Sequence, residues 1–196
     1  MIPLVLASKS VVRSRLLAAA GVAFEAADSG LDEAKAKARL AGKTPKDIAM
    51  ALAEAKTLRV SQCRPEALVI GADQTLDLDG RLFDKPASLE EARTRLVMFR
   101  GRSHQLHAAV AAARDGQVLW RKAASATLTM RAFTDVWLDT YLARNPGPAL
   151  ATVGSYEFEG EGAQLFERVV GDYFAILGLP LLGLLAFLRD QEVLPR

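Results

Sequence analysis

The sequence is poor in cysteine and histidine. Its 196 residues include one cysteine, Cys63, and two histidines, His104 and His107. A single cysteine excludes an internal disulfide, and without a second cysteine or a His motif it also excludes the usual kinds of zinc site. The histidines are three positions apart, a spacing that turns them to opposite faces of a strand. We therefore expect both histidines to be structural and Cys63 to have no special role.

Long hydrophobic runs and a strong net charge are also missing. The longest apolar run, residues 177–188, contains two glycines and a proline and is shorter than the ~20 residues of a membrane span. The 25 basic and 23 acidic residues give a formal charge of +2, so no long-range field attracts nucleic acid or an anionic membrane. The sequence shows no secretory signal pattern and no flexible linker. We expect one domain, residues 1–196, in a cytoplasmic protein that binds neither nucleic acid nor membrane.

The most informative stretch lies near residue 70. An apolar run, residues 67–70, has the length and β-branched content of a buried strand, which we expect to end at Gly71. Asp73 would then follow a strand end, where α/β folds usually place their chemistry. Asp79-Gly80 is typical of a two-residue hairpin turn that would bring Lys85 back toward Asp73. The pattern therefore predicts that the carboxylate of Asp73 and the ammonium of Lys85 lie together at the opening of a cleft.

A polar loop follows the first predicted strand, residues 2–7. Ser8, Lys9 and Ser10 stand just before a helical pattern, and Arg13 lies about one turn into that helix. A helix N-terminus favours an anion, and the planar guanidinium of Arg13 suits phosphate oxygens. Alternatively, a serine only caps the helix and the lysine is solvated. Both interpretations stay open at this point.

Two further charged positions have alternative interpretations. Asp32 and Glu33 are adjacent carboxylates that could help to hold a hard divalent cation, although such a pair is more often a solvated helix start. Thr44-Pro45-Lys46-Asp47 predicts the start of a helix, in which Lys56 continues an apolar row through Leu52. The ammonium of Lys56 either snorkels to solvent, the commoner outcome, or points into a cleft.

The remaining patterns predict the scaffold. Ser88 begins a capping box for a helix, and Thr134 can cap another. Asp115-Gly116 predicts a second hairpin. Residues 164–169 are typical of a strand, and the last apolar run predicts a buried C-terminal helix through Leu188.

Taken together, several segments resemble the Maf family of nucleoside triphosphate pyrophosphatases. They occur in the family's order and cover nearly the whole chain. These segments are Leu6-Ala7-Ser8-Lys9-Ser10 with Arg13, Asp32-Glu33, Leu52-Ala53-Glu54-Ala55-Lys56, Gly71-Ala72-Asp73, Lys85-Pro86, Gly154-Ser155-Tyr156 with Glu159-Gly160, and Ile176-Leu177-Gly178-Leu179-Pro180-Leu181. One departure is Val11-Val12, where the family usually has Pro-Arg.

The resemblance implies a two-lobed α/β fold around a strongly twisted mixed β-sheet flanked by helices, with a nucleotide cleft between the lobes, commonly in a homodimer. It also implies hydrolysis of a nucleoside triphosphate to the monophosphate and diphosphate with a divalent metal cation, Mg²⁺ or Mn²⁺. By position, Asp73 takes the proton-acceptor role, and Glu33 with Asp73 the metal site. The phosphate-binding positions are Ser8, Arg13, Lys56 and Lys85, of which Lys56 and Lys85 would also serve catalysis.

Gln74 and Glu159 bear on the choice of base. Glutamine after Asp73, with a glutamate at position 159, is similar to the 7-methyl-GTP-preferring branch rather than the dTTP/UTP-preferring branch. A carboxylate can accept from both N1–H and N2–H of guanine, and methylation at N7 adds a positive charge to the base. The alternatives are a dTTP/UTP pyrophosphatase, a Glu159 that faces water, and a nucleotide-sensing regulator of cell division or septum formation without useful turnover.

Overall fold

A mixed β-sheet of seven strands forms the middle of the computed structural model, which describes residues 2–195. The order across the sheet is β2-β1-β3-β5-β6-β7, with β4 paired to the end of β3. Pairs β1–β2 and β1–β3 are parallel, and the others are antiparallel. The strands are β1 (Leu4–Ala7), β2 (Glu25–Ala27), β3 (Leu68–Leu78), β4 (Arg81–Phe83), β5 (Ser103–Arg114), β6 (Gln117–Met130) and β7 (Phe166–Gly171).

Eight α-helices flank this sheet in the described part of the chain. Four of them begin directly after a residue that the sequence offered as a candidate cap, because each cap oxygen accepts a main-chain N–H three residues on. The helices are α1 (Val11–Ala19), α2 (Glu33–Ala38), α3 (Pro45–Cys63), α4 (Leu89–Phe99), α5 (Asp135–Arg144), α6 (Pro146–Ala151), α7 (Tyr173–Ile176) and α8 (Leu181–Asp190). None of them is long and apolar enough to span a membrane.

The predicted hairpins are confirmed. Asp79 and Gly80 both have positive φ angles, 54° and 81°, and join β3 to β4. Asp115 and Gly116 have φ angles of 50° and 69° and join β5 to β6. Two consecutive positive φ angles are the geometry of a type I′ turn, whose twist matches that of the paired strands.

The expected end of β3 at Gly71 is wrong. The strand continues to Leu78, because β5 pairs with it from Val69 to Asp77. On its other edge, however, β3 pairs with β1 only as far as Ile70 and with β4 only from Leu76. Among the described strands, residues 71–75 therefore have a partner on one side only. The opening that sequence reasoning placed after a strand end is a gap beside a continuous strand.

Two apolar cores lie on either side of this gap. One includes Leu68 and Ile70 of β3 with residues from β1, α1 and α8. The other includes Leu76 and Leu78 of β3 with residues from α4, α5 and β6. The expected two-lobed α/β architecture is confirmed in this form: β3 runs through both cores, and the polar segment around Asp73 lies between them.

Helix α3 packs closely against β3 at Gly71. A Cβ atom added there would lie 2.4 Å from Thr57 Oγ1, 2.9 Å from the Thr57 nitrogen and 3.0 Å from the Ala53 carbonyl oxygen. Two of these atoms are main chain, so a rotamer change cannot relieve the clash. Glycine at this position is therefore what allows α3 to approach the strand.

We expect Gly71→Ala to lower the free energy of unfolding by about 2–3 kcal/mol, because α3 must move off the sheet to admit the methyl group. Chemical denaturation of the purified protein measures this change. Gly147→Ala is the matched control, because an added Cβ at position 147 in α6 meets nothing within 4 Å. Equal stability of the two variants would contradict the tight α3–β3 contact.

Candidate active site

A cleft of about 490 Å³ opens beside the gap in the sheet. Its walls come from the start of α1, from α2 and α3, from β3, and from the loop after β4. The segments around residues 151–159 and 176–178 complete it. A volume of this size is typical of a site for a small ligand. Seven of the eight site residues predicted from the sequence line the cleft: Arg13, Glu33, Lys56, Asp73, Gln74, Lys85 and Glu159.

Lys56 is the centre of the site. Its ammonium lies 2.6 Å from Asp73 Oδ1 and 2.7 Å from Glu33 Oε1. Both Lys56 and Asp73 are buried, whereas Glu33 is exposed. The snorkelling outcome for Lys56 is therefore wrong, because the side chain leaves the packed face of α3 toward two carboxylates. These carboxylates supply the counter-charge that a buried ammonium requires.

The two carboxylates differ in their acidity. Burial raises the pKa of Asp73, and the charges of Lys56 and Arg13 offset this effect only in part. Burial also raises the pKa of Glu33, but the Lys56 hydrogen bond and the charges of Lys56, Lys37 and Arg13 outweigh it. The pKa of Glu33 is therefore lowered. Of the two, Asp73 is the group that more readily holds a proton.

Arg13 ties three segments of the chain together at one end of the cleft. Its Nε donates to the Gly178 carbonyl at 2.9 Å, and its Nη1 donates to the Ala72 carbonyl at 2.8 Å and to Ser8 Oγ at 3.2 Å. Ala72 lies in the gap of β3, so Arg13 supplies a donor to an oxygen that has no strand partner there. These bonds fix the planar guanidinium and leave Nη2 as the nitrogen whose hydrogens are available to a ligand.

The serines of the first loop have different positions. Ser8 is buried behind Arg13, and its hydroxyl also accepts from the main-chain nitrogen of Ser10 at 3.2 Å. Ser10 lines the cleft and caps α1. The capping and anion-binding interpretations of this loop are therefore compatible. Ser10 caps the helix, and the start of the helix faces the cleft, where it can attract an anion.

Sequence reasoning missed Lys37, which lines the same cleft. Lys37 forms an ion pair with Asp84, the residue that precedes Lys85. The available signal was its position four residues after Glu33, which places the two on one face of a helix. With Lys56, Lys85 and Arg13, this wall of the cleft carries four cations.

Acceptors and aromatic rings line another part of the cleft. Gln74 Nε2 donates to the carbonyl oxygens of Ala175 at 2.7 Å and Ile176 at 2.9 Å. This orientation leaves only the amide oxygen of Gln74 to bind a ligand. The exposed Glu159 accepts from the hydroxyl of Tyr173 at 3.1 Å, and Phe158 beside it lines the cleft.

The two histidines lie outside this cleft. His104 Nε2 is 2.7 Å from the hydroxyl of Tyr156, and burial lowers the pKa of His104 to about 4, so the ring is neutral at pH 7. His107 Nδ1 is 2.8 Å from Ser125 Oγ. The described residues contain no group of three or more His, Cys, Asp or Glu side chains placed to hold a metal.

Asp32 and Glu33, the adjacent carboxylates, have different positions. Asp32 caps α2, whereas Glu33 lines the cleft.

The comparisons with known proteins agree with this architecture. A family model described as Maf-like protein matches residues 3–191. The chain therefore belongs to the Maf family, and the resemblance inferred from its motifs is confirmed.

Three relatives are similar along nearly their whole length. A protein of Caulobacter vibrioides, named nucleoside triphosphate pyrophosphatase, is 58% identical over 189 residues, which cover 95% of this chain and 94% of the relative. A Maricaulis maris protein of the same name is 52% identical, with 97% of each chain covered. A Brucella suis protein named 7-methyl-GTP pyrophosphatase is 50% identical, again with 97% of each covered.

The buried ion pair makes a prediction about stability. We expect Lys56→Met to lower the free energy of unfolding by about 3 kcal/mol, because Asp73 loses its buried partner. Adding Asp73→Asn should recover about 1–2 kcal/mol of this loss, since the two side chains are in contact. Denaturant unfolding of the single and double variants measures the coupling, with the exposed Lys46→Met on the same helix as control. Strictly additive effects would contradict the pairing.

Proposed function

We propose that this protein hydrolyses a nucleoside triphosphate to the monophosphate and diphosphate, with 7-methyl-GTP as its preferred substrate. The observation that carries the proposal is the contact of Lys56 with Asp73 and Glu33 in a cleft that also contains Arg13 and Lys85. Relatives named nucleoside triphosphate pyrophosphatase and 7-methyl-GTP pyrophosphatase, at 58% and 50% identity, support the same reaction class.

The cationic end of the cleft suits the triphosphate. In the proposed reaction a water oxygen attacks the α-phosphorus, its proton passes to the Asp73 carboxylate, and the α–β phosphoanhydride bond breaks to release diphosphate. The raised pKa of Asp73 favours this role, because a base works best when its pKa approaches the working pH. Lys85, Lys56 and Arg13 would bind the phosphate oxygens and stabilise the charge that develops on the leaving diphosphate.

Glu33 and Asp73 also fit a divalent cation. Each carboxylate contacts the Lys56 ammonium through one oxygen, and its second oxygen is the kind of ligand that Mg²⁺ or Mn²⁺ prefers; Mg²⁺ sites are commonly completed by substrate phosphates rather than by further side chains. We propose that these two residues hold the cation together with the triphosphate. When bound, the cation would neutralise phosphate charge and polarise a phosphoryl oxygen.

The acceptors of the cleft favour a guanine-type base. Because both hydrogen-bond donors of Gln74 are directed at main-chain carbonyls, Gln74 and Glu159 offer only acceptors. Guanine presents two adjacent donors, N1–H and N2–H, which acceptors can bind. Uracil and thymine present a carbonyl on either side of their single N–H, so two acceptors would repel them. This geometry strengthens the argument for guanine made from the sequence.

Methylation at N7 fits the charges around the base. A 7-methylguanine ring carries a positive charge, and Glu157 and Glu159 both line this part of the cleft. Phe158 lies between them in sequence and offers an aromatic face, to which a cationic ring is attracted. In the proposed complex, cations of the cleft would contact the triphosphate, and carboxylates would lie near the base.

The first experiment is a measurement of diphosphate release by the purified protein with Mg²⁺ or Mn²⁺. We expect 7-methyl-GTP to be hydrolysed more efficiently than GTP, UTP, dTTP and CTP. Asp73→Asn should lower kcat at least about 100-fold, because it removes the proton acceptor, and should leave nucleotide binding measurable.

Preference for UTP or dTTP would keep the reaction and overturn the choice of base. Binding of triphosphates without turnover would overturn the proposed hydrolysis and favour a nucleotide-sensing protein. Omission of the metal, with a chelator present, should abolish turnover. Turnover that persists would overturn the proposed role of the cation.

A second experiment tests Glu159. We expect Glu159→Gln to lower the preference for 7-methyl-GTP over GTP by about fivefold, because a charge interaction near the protein surface is worth about 1 kcal/mol. The ratio of the two kcat/KM values is the measurement. Glu161→Gln is the control, since Glu161 pairs with Arg144 at 3.3 Å and does not line the cleft. An unchanged ratio in Glu159→Gln would mean that this carboxylate faces water.

The expected homodimer, the cytoplasmic location and the single-domain organisation stay predictions.

A further inference from the structure

Arg95 is a buried cation that lies outside the proposed chemistry. It is on α4, and its side chain is 6% exposed. Nη1 donates to two main-chain carbonyls, those of Asp84 and of Val153, the latter at 2.8 Å. Nη2 donates to Glu91 Oε1 at 2.9 Å. A buried guanidinium with all of these bonds satisfied has a fixed position and orientation.

The two carbonyls belong to two different segments that line the cleft. Asp84 precedes Lys85 in the loop after β4, at the cationic end. Val153 precedes Gly154 and the segment that leads to Glu159, one of the acceptors proposed to bind the base. One nitrogen of Arg95 therefore joins two segments that are far apart in sequence and that carry different parts of the site.

Glu91 extends this arrangement. Its Oε1 accepts from Arg95, and its Oε2 accepts from the main-chain nitrogen of Ala87 at 2.8 Å. The loop after β4 is thus held on both sides of Lys85, at the Asp84 carbonyl by Arg95 and at Ala87 by Glu91. The capping box at the start of α4, which sequence reasoning treated as scaffold, is connected in this way to the cleft.

We propose that Arg95 is a positioning residue that fixes the phosphate-binding and base-binding walls of the cleft relative to one another. Its role in catalysis rests on the proposed function. Without the guanidinium, two carbonyls lose their common donor, and the segments that hold Lys85 and Glu159 separate. Small displacements of this kind affect reactivity strongly, because reacting groups must be held in the right geometry. Both turnover and the choice of base then depend on Arg95.

The test compares Arg95→Lys and Arg95→Met with the same substitutions at Arg93. Lysine keeps the charge, but its Nζ ends one bond short of the position of Nη1 and cannot reproduce the planar fork. Arg93 is on the same helix and pairs with Asp139 at 2.6 Å, away from the cleft. The measurements are kcat, KM and the ratio of kcat/KM between the best and the poorest triphosphate substrates.

We expect both Arg95 variants to lower kcat at least tenfold and the substrate ratio at least fivefold, with little change in the Arg93 variants. A purely structural role would reduce the fraction of folded enzyme, which lowers kcat for every substrate equally and leaves KM and the substrate ratio unchanged. An unchanged ratio in folded Arg95→Lys would therefore overturn the proposal.

Amide hydrogen exchange tests the same proposal without turnover. In Arg95→Lys, exchange should accelerate in residues 84–87 and also in residues 152–159, whereas Arg93→Lys should match the wild type. If the wild type hydrolyses no triphosphate, the proposed function fails, and hydrogen exchange alone decides whether Arg95 joins the two walls. Acceleration in neither segment would show that it does not.

Discussion

The structure depends on one buried ammonium group. Lys56 lies among packed side chains of α3, and its charge is acceptable there only because Asp73 and Glu33 contact it. Asp73 is on the central strand and Glu33 is at the start of α2, so this contact joins two helices and a strand. The close approach of α3 to Gly71 follows from the same requirement, because the ammonium must reach a carboxylate on the strand.

The cleft itself results from a mismatch in strand length. β3 is 11 residues long and pairs with β5 along most of its length, whereas β1 and β4 cover only the two ends of its other edge. Polar groups in the gap cannot be satisfied by a neighbouring strand, so side chains satisfy them, as Arg13 does for the carbonyl of Ala72. A nucleotide would enter at the place where the sheet leaves an edge open between two apolar cores.

Much of the scaffold could be predicted from local signals. The caps at Ser10, Thr44, Ser88 and Thr134 predicted four helix starts, because a cap acts within three residues of itself. The two Asp-Gly turns predicted both hairpins for the same reason. The predicted end of β3 was wrong, since a strand ends where its partners end, and the partner β5 begins about 25 residues after the end of β3. Helix α6 was not predicted.

By itself, the sequence determined most of the residues that form the candidate site, the turns and caps around them, and the family resemblance that their order carries. The tertiary structure decided what each side chain does. It turned Lys56 inward, directed both donors of Gln74 at Ala175 and Ile176, and joined two walls of the cleft through Arg95. The physical reason is distance along the chain: these contacts join residues 11 to 102 positions apart, and no local pattern encodes such a meeting.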